Sequence, residues 1–270
     1  MFGRSHDDKK SSFDGYQQQA PASAPAYGAS TSHQARFASV SMHSTDDLRF
    51  LHFPPQVIDL CRNAIVTVWK SGISREGMYG SSYEFKLRGY PWAAIGTGAM
   101  DTQRLVCAVL GTLHSVGWVM TLNTDVSTAA ADKDTLLFRY QSPTPAPCDW
   151  FSIGFSRSDR IRMVDASPEL CYALPAALGQ EWVSKVSEHS PGVQEIKFHG
   201  YPWSAGGKET MRVREMLLTI LGTLEEDGWT VYASIDQSAA AGSQNKSETD
   251  TWHCCRPRGW VKGAPVYFRR

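Results

Sequence analysis

Hydrophobic positions with a helical period mark two segments of the chain. After Pro55 one apolar stripe contains Val57, Leu60, Cys61, Ala64, Ile65 and Val68. Its period of about 3.6 residues predicts an amphipathic helix with one buried face, and proline suits an early helical position because its missing N–H needs no acceptor there. A longer stripe (Leu105, Val109, Leu110, Leu113 and Val116) predicts a second helix that ends at Gly117, which suits the left-handed position after a helix.

Residues 84–87 alternate polar and apolar side chains, which predicts a strand with Glu84 and Lys86 facing solvent. A Gly-Tyr-Pro-Trp segment ends this strand, and a loop of small residues leads into the second helix. Shorter apolar runs predict further strands at residues 48–53, 119–125, 135–140, 150–156, 160–164 and 265–269. The residues between the first helix and residue 84 are expected to form a linker.

The strongest pattern in the chain is an internal repeat. Residues 83–92 reappear as residues 194–203, and the register stays at 111 positions through Gly117-Trp118 and Gly228-Trp229. Upstream the offset is 113, which aligns Pro55 with Pro168. One constant register across so many rare residues indicates a tandem duplication, and insertions fall where loops are expected. The second copy carries Pro175 inside its first helix, which predicts a kink or a break there.

The predicted fold class is α+β. We expect two tandem copies of a two-layer unit of roughly 110 residues, each a sheet with helices on one face, a common domain size. The predicted domains are a disordered tail at residues 1–45, repeat unit 1 at residues 46–156 and repeat unit 2 at residues 157–270. The two units should share one backbone and one strand order, and we expect them side by side as a pseudo-twofold pair.

The first 45 residues contain no apolar stretch of the length that a signal peptide needs. A Gln-, Pro- and Ala-rich segment at residues 17–25 cannot bury enough apolar area to offset the backbone entropy of folding. We therefore predict a disordered tail and a cytoplasmic protein, with access to the nucleus left open.

Composition narrows the range of partners. The chain has 27 basic and 27 acidic residues, whereas nucleic acid and anionic membranes call for a basic surface. There is no apolar run long enough to span a membrane. The six cysteines include no CxxC pair and no zinc spacing, and the chain has no HExxH motif or Rossmann fingerprint, so neither a metal nor a cofactor is predicted. The adjacent Cys254 and Cys255 could form a redox or metal site, but the favoured interpretation is one inward and one outward strand position.

The aromatic residues at the two repeated strand ends, Tyr90, Trp92, Tyr201 and Trp203, are the first candidate site. Their rings either pack beneath the loop, as large aromatics usually do, or stand open as a docking surface for a proline-rich or extended peptide. Buried packing is the favoured interpretation for the rings. If they are exposed, a protein or peptide partner is expected.

Two further candidates would hold small ligands or reactants. The glycine-rich loops with Gly96, Gly98, Gly206 and Gly207 precede helix N-termini, where N–H groups and the helix dipole favour an anion. However, neither loop contains a phosphate-binding signature. Asp125 with Ser127, and Asp236 with Ser238, occupy equivalent strand ends near Asp134 and Asp250, where carboxylates could act as acid and base. Turn formation and capping are the favoured explanation for all these residues.

The tandem arrangement resembles a set of uncharacterised eukaryotic proteins, mainly fungal, with a GYPW strand end, a Leu-rich helix and a Gly-Trp cap. The resemblance covers residues 46–270 and implies no activity. We interpret the chain as a non-catalytic protein- or peptide-binding scaffold, because no catalytic motif is complete in either copy. The alternative is a small-ligand-binding protein or a divergent enzyme that uses the glycine-rich loops or the Asp/Ser strand ends. The oligomeric state is left open.

Overall fold

The structure of the protein is a computed structural model that describes residues 36–94, 96–124, 134–236 and 250–266. Repeat 1 contains β1 (Phe37–His43), β2 (Asp47–Leu51), α1 (Pro55–Val68), β3 (Ile73–Tyr79), β4 (Ser82–Leu87), α2 (Thr97–Ser115), β5 (Trp118–Thr124) and β6 (Thr135–Tyr140). Repeat 2 contains β7 (Cys148–Ser156), β8 (Arg160–Val164), α3 (Pro168–Trp182), β9 (Val183–Ser190), β10 (Val193–Phe198), α4 (Glu209–Glu226), β11 (Thr230–Ile235) and β12 (Thr251–Pro257).

Each repeat forms one antiparallel six-stranded sheet with its own two helices on one face. Sheet 1 has the order β3-β4-β2-β1-β6-β5, and sheet 2 has the equivalent order β9-β10-β8-β7-β12-β11. Register agrees as well: Val40 faces Phe50 in sheet 1, and Ile153 faces Met163 in sheet 2, both displaced by 113 positions. The predicted α+β fold with two copies of one unit is therefore confirmed.

The borders of the repeats differ from those predicted. Strand β1 lies within the stretch assigned to the tail, and it pairs with β2 and β6. Strand β7, assigned to unit 1, pairs with β8 and β12 of sheet 2. The repeats consequently begin at β1 and β7, each of which occupies the middle of its sheet. Residues 1–35 of the predicted tail lie outside the described residues.

Two strands occupy the segments that were expected to be linkers. Strands β3 and β9 are the outer strands of their sheets, and most of their side chains are exposed. An outer strand with few buried residues lacks the alternation that marks a half-buried strand, which explains the wrong prediction. The last predicted strand, at residues 265–269, is also wrong where it is described: residues 265 and 266 are not in a strand, and the others lie outside the described residues.

Helix α3 breaks at a different residue from the one predicted. The helix continues past Pro175, and its backbone leaves the helical region at Gly179, where φ is 71° and ψ is 173°. A glycine reaches this conformation without the penalty that other residues meet.

None of the four α-helices in the described part of the chain combines the length and apolar character that crossing a bilayer requires.

The two repeats stack in one direction instead of forming the expected pseudo-twofold pair. Sheet 2 packs on α3 and α4 with one face, through residues such as Phe151 and Ile153. Its other face receives α2 of repeat 1, where Met100 packs with Val164 and Val193. The layers therefore follow the order sheet 1, α1 with α2, sheet 2, α3 with α4.

Cys254 and Cys255 point to opposite faces of β12 as predicted, yet both are buried because sheet 2 is covered on both faces.

Gly117 and Gly228 end α2 and α4 in the left-handed conformation, with φ of 87° and 80°, as predicted. A Cβ at Gly117 would lie 2.6 Å from the backbone oxygen of Gln141, whereas a Cβ at Gly200 (φ 67°) would have nothing within 4 Å. Gly117→Ala is therefore expected to lower the free energy of unfolding by about 2–3 kcal/mol, and Gly200→Ala by about 1 kcal/mol. Urea unfolding measures both losses, and equal losses would contradict the role of the Gln141 contact.

Candidate functional site

The two tryptophans of the repeated strand ends belong to the hydrophobic cores. Trp92 is fully buried, and its Nε1 donates a hydrogen bond to the backbone oxygen of Asp47 at 3.0 Å. Trp203 is half-buried between the rings of Phe155 and Phe198, and its Nε1 donates to the oxygen of Arg160 at 3.0 Å. Trp92 cannot contact a partner directly, which corrects its place among the candidate binding residues.

The tyrosines beside them are open to solvent. Tyr90 is 69% exposed and Tyr201 is 70% exposed. Their backbone angles agree within a few degrees, with φ and ψ of −132° and 68° at Tyr90 and −134° and 70° at Tyr201. The protein thus presents the same exposed phenol twice, and a binding role for these two residues stays a prediction.

The glycine-rich loops differ between the repeats. Gly96 (φ 64°) directly precedes α2, and Gly98 already lies in its first turn. Gly206 and Gly207 (φ 54°) precede α4, whose first residue is Glu209. A carboxylate in the first turn already interacts favourably with the helix dipole, so the second loop is less suited to an anion than its glycines indicated. Anion binding stays a prediction for both loops.

The Asp and Ser strand ends are partly described. Asp125, Ser127 and Ser238 lie outside the described residues. Asp134 accepts hydrogen bonds from Asn123 Nδ2 at 2.8 Å and from the backbone N–H of Asp236 at 3.1 Å. Asp134 therefore joins the two repeats, while Asp250 accepts a hydrogen bond from Ser234 Oγ at 2.8 Å within repeat 2.

A concave surface lies between the repeats, and we call it the inter-repeat groove. Its volume is about 620 Å³. One wall consists of α1 and α2, and the other consists of β7, the end of β8 and the segments beside them. Sequence reasoning missed this site, because it depends on how repeat 1 packs on repeat 2.

Small side chains create the space in the groove. Ala64 of α1 and Ala108 and Gly111 of α2 line it opposite Trp150 of β7. Gly111 allows close approach of the indole, since a Cβ there would lie 3.2 Å from Trp150 Nε1. The middle of the groove is therefore an apolar slot with an aromatic wall, while Asn63, Thr67, Thr112 and Ser115 add polar atoms along the two helices.

Ion pairs stand at the ends of the groove. Arg104 donates from Nε and Nη2 to the two carboxylate oxygens of Asp165, both at 2.9 Å, and the carboxylate raises the pKa of the guanidinium. Arg258 Nε donates to Asp149 Oδ1 at 2.9 Å. A two-point Arg–carboxylate contact fixes orientation as well as distance, so the Arg104–Asp165 pair holds the two repeats in register.

Buried polar side chains of Cys107 and Ser152 lie in the wall of the groove. Ser152 Oγ lies 2.9 Å from His253 Nδ1, and complete burial lowers the pKa of His253 to about 3. Burial also raises the pKa of the Cys107 thiol to about 12. A nucleophilic cysteine acts as the thiolate, and burial disfavours this form at Cys107.

Cys148 differs from the other cysteines at the repeat contact. It is half-buried at the edge of the groove, and a hydrogen bond with Cys255 lowers its pKa, while the same contact and burial raise the pKa of Cys255. No three His, Cys, Asp or Glu side chains come together as a possible metal site in the described ranges.

The fold and groove define a tandem α+β protein whose two repeats share a concave surface. The model of an uncharacterised family matches residues 36–139 and again residues 149–255, so the chain belongs to that family and carries its domain twice. The matches begin beside β1 and β7, in agreement with the structural repeats. No curated protein matches the chain, and no solved structure matches it. A mainly fungal distribution and a shared GYPW motif stay predictions.

Proposed function

We propose that the protein is a non-catalytic binding protein that holds an extended peptide segment of a partner protein in the inter-repeat groove. The observation that carries this proposal is the groove of about 620 Å³, whose middle is an apolar slot between Trp150 and the small residues of α1 and α2. An aromatic or branched side chain in a water-excluding pocket typically dominates the energy of a protein contact. The slot fits one such anchor.

The rest of the groove suits a peptide backbone. Asn63 and Thr67 on α1, and Thr112 and Ser115 on α2, offer side-chain oxygens along its length. Backbone N–H groups of a peptide require acceptors of this kind when they leave water. The ion pairs at the ends supply charged groups for the polar rim that surrounds a binding centre.

The duplication offers a matched pair of variants for the test. Ala64 lines the groove, and its counterpart Ala177, 113 positions later, is exposed on α3. Ala64→Phe fills the slot, whereas Ala177→Phe adds the same ring to a free helix surface. A random-peptide display selection on the full-length protein should enrich peptides with a bulky apolar residue, and their affinity should fall at least about tenfold on Ala64→Phe only.

Circular dichroism first establishes that both variants are folded. Peptides that bind Ala64→Phe as tightly as the original protein would overturn the assignment to the groove, as would a selection that enriches nothing. Two further variants, Tyr90→Ala and Tyr201→Ala, test the exposed strand ends. If peptides are lost on these variants and retained on Ala64→Phe, the binding site lies at the tyrosines instead.

A small apolar ligand is the second candidate, and the volume of the groove favours it. Ligand pockets usually measure about 300–1,000 Å³ and are mostly apolar. Native mass spectrometry of the protein purified from its own cells provides the test. A bound small molecule that is present with Ala177→Phe and absent with Ala64→Phe would support this candidate, and an unliganded mass for all forms would contradict it.

A further inference from the structure

The face of α2 that packs on sheet 2 has a counterpart on α4 that is exposed. At an offset of 111 positions, the α2 residues Met100, Cys107 and Gly111 correspond to Met211, Leu218 and Gly222 of α4. Met211 is 54% exposed and Leu218 is 66% exposed, although Met100 and Cys107 are buried. A Cβ at Gly222 would have nothing within 4 Å. We call this surface of α4 the donor face.

The outer face of sheet 1 is the counterpart of the sheet 2 face that receives α2. The sheet 2 residues Trp150, Ser152, Val164 and Ala233 correspond to Phe37, Ser39, Leu51 and Leu122 of sheet 1. Phe37 is 55% exposed and Leu122 is 45% exposed, whereas Ala233 is buried. We call this surface the acceptor face. Within the described residues, one pair of equivalent faces is therefore packed together between the repeats, and the other pair is exposed on α4 and on sheet 1.

The two unused faces remain complementary where the polar residues have changed. Within the chain, Arg104 of α2 pairs with Asp165 after β8. Their counterparts are Glu215 on the donor face and His52 on the acceptor face, both exposed. His52 and Asp165 also share a left-handed backbone, with φ of 64° and 60°. Within the chain the basic residue lies on the helix and the acidic residue lies beside the sheet. Between two molecules the acidic Glu215 would lie on the donor face and the basic His52 on the acceptor face, so the two positions remain complementary.

A second position shows the same relation. His114 near the end of α2 packs edge-on against Trp150, with ring centroids 5.5 Å apart, and Trp150 is the cross-strand partner of Cys255. The counterparts are Glu225 on α4 and the cross-strand pair Phe37 and Arg139 on sheet 1. Glu225 and Arg139 are both exposed. An acid on the donor face therefore faces a base on the acceptor face at this position too.

We propose that the donor face of one molecule docks on the acceptor face of a second copy, in the way that α2 docks on sheet 2 within each chain. A second copy is the occupant because its exposed surface supplies the matching half of an interface that the chain already contains. Such a head-to-tail contact uses different surfaces on the two molecules and leaves a free face at each end, so it allows further additions. This inference is independent of peptide binding in the groove.

Two variants test the proposal, and each disrupts one of the two faces. Leu218→Arg places a charge in the middle of the donor face. Ser39→Arg does the same on the acceptor face, because Ser152, its counterpart, hydrogen-bonds to Cys107, the counterpart of Leu218. Met78→Arg is the control, since Met78 is 70% exposed and lies on neither face. Circular dichroism verifies that each full-length variant is folded before sedimentation analysis over a series of concentrations.

The original protein and Met78→Arg should show a mass that rises above the monomer value of 29.9 kDa as concentration increases. Leu218→Arg and Ser39→Arg should each stay monomeric. Their equimolar mixture should form dimers and nothing larger, because only one intact donor face and one intact acceptor face remain per pair. The proposal is overturned if the original protein is monomeric at every concentration, even if another molecule covers the two faces. The proposal is also overturned if the equimolar mixture of the two variants does not associate. It is equally overturned if Leu218→Arg or Ser39→Arg alone associates as the original protein does.

Discussion

Trp92→Ala is expected to lower the free energy of unfolding by about 3–5 kcal/mol, the range for removing a large aromatic side chain from a core. Trp92 has no exposed surface, and it belongs to the core cluster that joins sheet 1 to α1 and α2. Its loss also leaves the backbone oxygen of Asp47 without the hydrogen bond from Nε1, which adds a desolvation penalty. Urea unfolding followed by circular dichroism measures the change.

Trp203→Ala is the matched control, because it occupies the same place in repeat 2. Its indole is half-buried and donates an equivalent hydrogen bond to Arg160. Since less apolar area leaves water at this position, we expect a smaller loss of about 1.5–3 kcal/mol. A larger loss for Trp203→Ala than for Trp92→Ala would contradict this ranking. Binding assays with a Trp92 variant would mainly report unfolding, so Tyr90 and Tyr201 are the better residues to test at these strand ends.

The sequence predicted the elements that a local pattern encodes, but it placed two side chains wrongly: Leu60 of the predicted buried stripe is 43% exposed, and Glu84, predicted to face solvent, is buried. The stripe after Pro55 and the Gly117 and Gly228 ends of the long helices follow from helical periodicity and the left-handed freedom of glycine. Repetition at offsets of 113 and 111 positions predicted that the two units share one backbone, and their equivalent strand orders confirm it. Strands β3 and β9 were missed because an exposed outer strand has no buried face and leaves little alternation in the sequence.

The orientation of the aromatic residues required the structure. Tyr90 and Trp92 stand two positions apart at a strand end, where either ring could turn inward. Only the 3₁₀ turn at Pro91–Ala93 shows that the tryptophan turns in and the tyrosine turns out. The groove could not be predicted from the sequence for a related reason. Ala64 and Trp150 line the same groove only because the repeats stack on each other. A repeat register fixes what is alike in two copies, and it does not say which faces of the copies meet.

Glu195→Ala is expected to lower the free energy of unfolding at neutral pH by about 3–5 kcal/mol, as breaking a buried ion pair does. The largely buried carboxylate of Glu195 accepts hydrogen bonds from Arg162 Nε and Arg160 Nη1, both at 2.9 Å. Without it, two guanidinium groups with little exposed surface lose an acceptor. Glu188→Ala on the neighbouring strand β9 removes an exposed acid and should change stability by less than about 0.5 kcal/mol.

The pH dependence of this difference tests the electrostatic explanation. Burial alone would raise the pKa of Glu195, but the hydrogen bond from Arg162 and the charges of Arg160, Arg162 and His189 outweigh it, so the pKa lies below its ordinary value. A carboxyl group with a lowered folded pKa contributes stability above its unfolded pKa of about 4.3, and this contribution is lost as the pH falls through the folded pKa. The stability difference between the original protein and Glu195→Ala should therefore shrink in acid. A stability difference that stays constant from neutral pH to below a pH of about 4.3 would show that Glu195 contributes through packing and not through its charge.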